Sequence, residues 1–235
     1  MICRSFDQAL QHYSHATWID FRIGDAALTV SPVTLHSSFT LAPSSSNGRA
    51  VLHCTFAANA TCLNIQAPAN SSLPALTASI SRIDFVQQPP ASEPVQWQPT
   101  AALAVNGSNA GSVSLSDCSF FGFQTASLLL IRSGSLSLSK THFSNCTSQL
   151  DIVSLAGEAS ALSATGCVWQ FNLAAGGALV QASSITAAQS VLLQGCTIAD
   201  NQCGTQCLYQ AGAVMPASDA DTASARSEER RVGKE

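Results

Sequence analysis

An aromatic or large apolar residue returns along this chain at Phe56, Phe85, Phe120, Phe143, Trp169 and Ile198, at spacings of 29, 35, 23, 26 and 29 residues. The residues before each keep the same phase. Two positions earlier stand Cys54, Ile83, Cys118, Thr141, Cys167 and Cys196. Five earlier stand Val51, Ile80, Leu115, Leu138, Ala164 and Leu193. Seven earlier stand Arg49, Ala78, Val113, Leu136, Leu162 and Val191, and only the first of these is polar. A repeat of this length marks a stacked array of supersecondary units. In VSLSDCSF (Val113–Phe120) and LSLSKTHF (Leu136–Phe143), apolar and polar residues alternate, so one set faces inward and the other outward along a strand. A second apolar run follows in each unit, at Leu128–Ile131, Ile152–Leu155, Ala178–Val180 and Leu208–Tyr209. Such a unit cannot bury its own apolar face. Stacking units at the ~4.8 Å inter-strand spacing buries a common core and pairs each strand with those above and below. The expected fold is therefore all-β, a parallel β-helix. A β-sandwich would use strands of similar length, but nothing in it would hold six residues in one phase. A leucine-rich array would need an L-x-x-L-x-L-x-x-N motif, which is missing.

The 235 residues allow one domain with a continuous core. Apolar residues make up 46% and charged residues 10%, which is not the composition of a disordered chain. Residues 1–16 are expected to form a short N-terminal capping helix. Ser5-Phe6-Asp7-Gln8 reads as a capping box, and Phe6, Ala9, Leu10 and Tyr13 share a helical face. The β-helix is expected over 17–212, beginning with TWIDFRI and ALTV, with the Pro-rich stretch Gln87–Thr100 thrown out as a loop. Residues 213–225 read as a disordered, truncated continuation. Residues 226–235, RSEERRVGKE, break abruptly in composition and look like the translation of a sequencing-library adapter.

The run Trp169-Gln170-Phe171-Asn172-Leu173-Ala174-Ala175-Gly176-Gly177-Ala178-Leu179 resembles the F-x-x-N and GGA-I/L/V repeats of chlamydial polymorphic outer-membrane proteins. Related repeats occur in right-handed β-helices of the pectin-lyase-like superfamily. Ile198-Ala199-Asp200-Asn201 and Phe56-Ala57-Ala58-Asn59 carry the same step, and GGA occurs once. The resemblance covers roughly Val51 to Tyr209. It implies a right-handed solenoid, secreted or displayed on a surface, of a kind often used in adhesion. Asn172 and Asn201 fall in one column of neighbouring units and read as a structural turn ladder, since Asn tolerates left-handed backbone angles and bonds its own turn.

Nine cysteines favour an oxidising compartment. Cys203 and Cys207, flanking Gly204, are the candidate disulfide. Cys167 and Cys196 share a column and read as stacked thiols in preference to a bridge, because Ile83 and Thr141 fill the same column elsewhere. Asn59, Asn70, Asn106 and Asn145 head glycosylation sequons. The first fifteen residues lack an apolar h-region, so a secreted form would carry its signal peptide upstream. The longest aliphatic run, Leu128–Ile131, is too short to span a bilayer. A net charge of −4 leaves no basic patch for nucleic acid. Arg82, Asp117 and Lys140 share a column, so stacking would set Asp117 between two cations. One carboxylate in such a ladder suits neither glycoside hydrolysis nor Ca²⁺-dependent lysis, which need clustered carboxylates. Cys196, Cys203 and Cys207 lack a fourth zinc ligand, and His12 and His15 form a lone surface pair. No catalytic, metal or cofactor site is expected. The expected role is a non-catalytic secreted or cell-surface scaffold that binds extracellular polysaccharide or surface proteins. The alternative is a fragment of a polysaccharide lyase or glycoside hydrolase whose catalytic coils lie elsewhere.

Overall fold

Alternation along each short apolar run produces strands with one buried and one outward face, as in the buried–exposed alternation of Ser135–Ser139. The computed structural model describes residues 18–24, 27–30, 32–55, 60–67, 75–88, 100–106, 110–157, 160–182, 190–204 and 207–210. The expected capping helix, the Pro-rich stretch from 89 to 99 and everything beyond 210 lie outside these residues.

Four sheets collect the strands. Sheet A holds β1 (Trp18–Ile23), β4 (Ser38–Pro43), β7 (Leu76–Ser81), β10 (Ala110–Ser116), β14 (Ser135–Ser139), β18 (Ala161–Thr165) and β22 (Ser190–Gln194). Sheet B holds β2 (Leu28–Val30), β5 (Ala50–Cys54), β8 (Ile83–Gln87), β11 (Ser119–Phe121), β15 (His142–Ser144), β19 (Val168–Gln170) and β23 (Thr197–Ala199). Sheet C holds β3 (Val33–Leu35), β6 (Thr61–Gln66), β9 (Ala101–Asn106), β13 (Leu129–Ile131), β17 (Val153–Leu155), β21 (Val180–Ala182) and β25 (Leu208–Gln210). Sheet D is shorter: β12 (Gln124–Thr125), β16 (Thr147–Ser148), β20 (Leu173–Ala174) and β24 (Gln202–Cys203). The chain visits A, B and C in that order and returns to A, and from β10 onward it passes through D between B and C. All pairings among the described strands are parallel. The architecture is all-β, with parallel strands in stacked sheets, and is compatible with a parallel β-helix. The described residues include no helix, hence none long and apolar enough to cross a membrane.

The core lies between the sheets and runs the length of the stack. Its ring column pairs Phe85 with Phe120, Phe120 with Phe143, and Phe143 with Trp169. Ring centroids are 4.6, 5.3 and 5.3 Å apart, with planes within 12° of parallel. Ile198 continues the register after Trp169, but it is 39% exposed because no described strand follows β23 in sheet B. The start of the column differs from the expectation. Leu52, not Phe56, stands beside Phe85, and Leu28 stands beside Leu52. Phe56 itself lies outside the described residues. The first member of the column thus lies four positions before Phe56. The residue beside Ala78 in sheet A is Phe39, thirteen before Leu52, so the longer connection between β4 and β5 gives the apolar position to Phe39 and not to the polar Arg49.

Candidate functional site

Two columns of tight turns join the sheets. Between A and B, Arg82, Asp117 and Lys140 take left-handed angles (φ 55°, 54° and 49°) at the position held by Gly166 and Gly195 in later passages. Between B and D, Gly122, Asn145, Phe171 and Asp200 do the same (φ 70°, 52°, 57° and 54°). The charged column is thus a turn column. Asp117 is not held between its column neighbours. It pairs with Arg49, whose Nη1 lies 2.8 Å from its carboxylate, while Nη2 lies 2.5 Å from Asp84. Ser119 Oγ also donates to Asp84 at 2.6 Å. Burial pushes the Asp84 carboxyl up, but the Arg49 and Ser119 hydrogen bonds outweigh it and hold it below the usual range. The two carboxylates in turn raise the Arg49 guanidinium. Arg82 turns away to the carbonyl of Ser46.

The Asn column ties one passage to the next. Asn172 Oδ1 accepts from the Cys146 amide at 3.0 Å, and its Nδ2 donates to the Phe143 carbonyl at 2.9 Å. Asn201 repeats this one passage on, accepting from the Asn172 amide at 2.9 Å and donating to the Trp169 carbonyl at 2.8 Å. In the preceding passage Cys146 takes the donor role, its thiol 3.5 Å from the Phe120 carbonyl. Asn59, the expected earlier member, lies outside the described residues. The adjacent glycine pair has a steric reason. A Cβ on Gly177 would sit 2.2 Å from Asp151 Oδ1 and 2.7 Å from the Leu150 carbonyl, and one on Gly176 would sit 2.7 Å from the Gln149 carbonyl. That close approach lets the Ala178 amide donate to the buried Asp151 carboxylate at 3.0 Å. Gln181, with its amide nitrogen turned to the carboxylate, donates to it at 2.6 and 3.1 Å. Burial nevertheless raises the Asp151 carboxyl above its ordinary value.

Cysteines divide into bonded and free. Cys203 and Cys207 are joined by a disulfide across the Gly204 turn, with Cα atoms 5.3 Å apart. A second disulfide, unforeseen in the sequence, joins Cys54 at the end of β5 to Cys62 in β6, with Cα atoms 5.6 Å apart. Cys118, Cys146, Cys167 and Cys196 are free thiols. Of the sequons, Asn145 is exposed at its turn, Asn106 is engaged in the groove described next, and Asn59 and Asn70 lie outside the described residues.

The outer face of sheet C carries a groove of about 410 Å³. Its floor is the outward row Thr34, Asn64, Ala104 and Leu130, which occupy one register across β3, β6, β9 and β13. Ala104 is the smallest member of that row, so its short side chain leaves the depression. Arg132 Nη1 lies 3.4 Å from Asn106 Oδ1, Asn106 Nδ2 donates to Asn64 Oδ1 at 2.5 Å, and Asn64 Nδ2 donates to Thr34 Oγ1 at 3.2 Å. Among the described residues no carboxylate lies within ion-pair distance of Arg132. Asp20 is with Arg22, Asp84 and Asp117 are with Arg49, Asp151 is bound to backbone, and Asp200 holds a turn. The groove therefore offers amide and guanidinium donors over a floor of mixed polarity, which suits binding of hydroxyl-rich or peptide-like polar surfaces. Among the described residues no group of three or more His, Cys, Asp or Glu could hold a metal ion. Nothing in the sequence marked Asn64, Ala104 and Leu130 as neighbours, because their common row depends on segments of unequal length between strands. No protein-family model, curated protein or solved structure matches this chain.

Proposed function

We propose that this chain is the coiled body of a right-handed parallel β-helix. In this reading it serves as a non-catalytic scaffold, secreted or displayed on a cell surface, that binds extracellular polysaccharide or surface protein along sheet C. The observation that carries the reading is the groove at Ala104, where a directional chain of side-chain donors runs from Arg132 through Asn106 and Asn64 to Thr34. Right-handedness is supported by the strong chirality preference of parallel crossover connections. The two disulfides support an oxidising compartment. The F-x-x-N and GGA steps shared with chlamydial polymorphic outer-membrane proteins and pectin-lyase-like β-helices have structural work here, in the Asn ladder and the Gly177 contact.

The test is affinity electrophoresis of the full chain in gels containing polygalacturonate, xylan or hydroxyethylcellulose, with a reducing-end assay on the same mixtures. Retardation in at least one gel without new reducing ends is expected, and Arg132→Ala with Asn106→Ala should abolish it. Release of reducing ends would favour the lyase or hydrolase alternative. Absence of retardation in every gel would remove the polysaccharide reading.

A further inference from the structure

Two residues before the ring column, a side chain in several passages reaches back to the preceding strand of sheet A. Cys118 Sγ lies 3.6 Å from the Ile80 carbonyl, Thr141 Oγ1 lies 3.4 Å from that of Leu115, and Cys196 Sγ lies 3.4 Å from that of Ala164. Cys167 belongs to the same column. The pairings Thr165 with Gln194 and Val168 with Thr197 bracket Cys167 and Cys196 on both sides. Parallel strands in register hold neighbouring Cα atoms ~4.8 Å apart, within the ~4.4–6.8 Å that a disulfide permits. Cys118 has no such neighbour, because Ile83 and Thr141 flank it in the column. Cys146 stands in a different column, beside Asn172.

We infer that Cys167 and Cys196 are an oxidisable pair, which a small disulfide such as oxidised glutathione converts into a bond across the last two described passages of the chain. The order of events follows from burial. Cys167 is fully buried, and Cys196 is half-buried between β22 and β23, the last described strands of their sheets. The Cys196 thiolate attacks one sulfur of oxidised glutathione, the glutathione S–S bond breaks, and one glutathione leaves as thiolate and takes up a proton. Cys167 then gives its proton to solvent and attacks Cys196 Sγ, expelling the second glutathione. Two protein thiols lose two electrons and two protons, and one oxidised glutathione becomes two reduced molecules. Burial pushes the Cys167 thiol up to about 11, which keeps it from reacting first with the outside reagent. The product would fasten β22 and β23, whose Leu192 and Ile198 are exposed.

The experiment treats the native full chain with oxidised glutathione, then alkylates and digests it without reduction for mass spectrometry. A peptide pair joining Cys167 to Cys196 is expected, with Cys118 and Cys146 alkylated. Cys167→Ser is a mild change, since Thr141 shows that the column accepts a hydroxyl, and it should leave Cys196 as a stable glutathione adduct. Hydrogen exchange in Ser190–Gln194 should slow by at least about tenfold on oxidation of the unmutated chain. An adduct that persists on Cys196 while Cys167 is intact, or a Cys196 that stays reduced, would overturn the inference. A bond that forms without slowing exchange would overturn the fastening.

Discussion

Asp151 shows how a single side chain here serves the stack and not a reaction. Its carboxylate is buried, accepts from Ala178, and occupies space that only a glycine at 177 leaves open. Desolvation disfavours its charged form, so its folded pKa lies above the value of ~3.9 in an unfolded chain. The folded state then binds the proton more tightly than the unfolded one. The resulting stabilisation is present below the unfolded pKa and is lost as pH rises through the folded pKa. Asp151→Asn keeps an acceptor for Ala178 and removes the charge. It should raise stability at neutral pH relative to the parent and remove that part of the acid-range slope, as read by urea unfolding at a series of pH values. Asp84 acts with the opposite sign, since Arg49 and Ser119 depress it and its contribution is lost as pH falls through the folded pKa.

Along an element, stability depends on how many neighbours a residue has above and below. Phe143 is fully buried, stacked on Phe120 on one side and Trp169 on the other. Stacked rings contribute roughly 0.5–1.5 kcal/mol beyond the area they bury. Phe143→Ala should cost about 3–5 kcal/mol. Ile198 occupies the same column in the last described strand of sheet B and is exposed, so Ile198→Ala should cost less than about 1 kcal/mol. Chemical denaturation of the two variants measures the contrast, and equal losses would show that β23 is covered. In β22, the last described strand of sheet A, Leu192 faces outward in the row that Ser114, Ser137 and Ser163 hold in earlier strands.

At the scale of the molecule, each passage contacts its neighbours above and below, so stability is approximately a sum of passages and interfaces. Lys140 and Gly166 hold equivalent turns, and so do Phe143 and Trp169 in the ring column. Deleting Lys140–Thr165 and fusing Ser139 to Gly166 removes one whole period. It should leave a cooperatively folding chain of lower melting temperature with an unchanged far-ultraviolet strand signal. Deleting only Lys140–Ile152 would put turn residues into strand positions and should abolish folding. Circular dichroism melts of both deletions test this.

The repeat phase from Ile83 to Ile198 was readable in one dimension, because parallel stacking maps equal phase onto equal position. From β7 onward the strands of sheets A and B, the ring column from Phe85 and the Asn172–Asn201 step all follow from local alternation and period. Other features needed the assembled chain. Leu52 takes the place expected of Phe56 because the strand register, and not residue type, decides which side chain meets Phe85. Arg49 reaches Asp117 across 68 residues and Asp84 across 35, whereas the linear pattern set Asp117 between Arg82 and Lys140. Cys54 finds Cys62 only once β5 and β6 turn into different sheets. The groove collects residues 34, 64, 104 and 130, whose unequal spacings hide any period. In each case the connecting segments vary in length, and a varying connection erases phase until backbone hydrogen bonds between strands restore it in space.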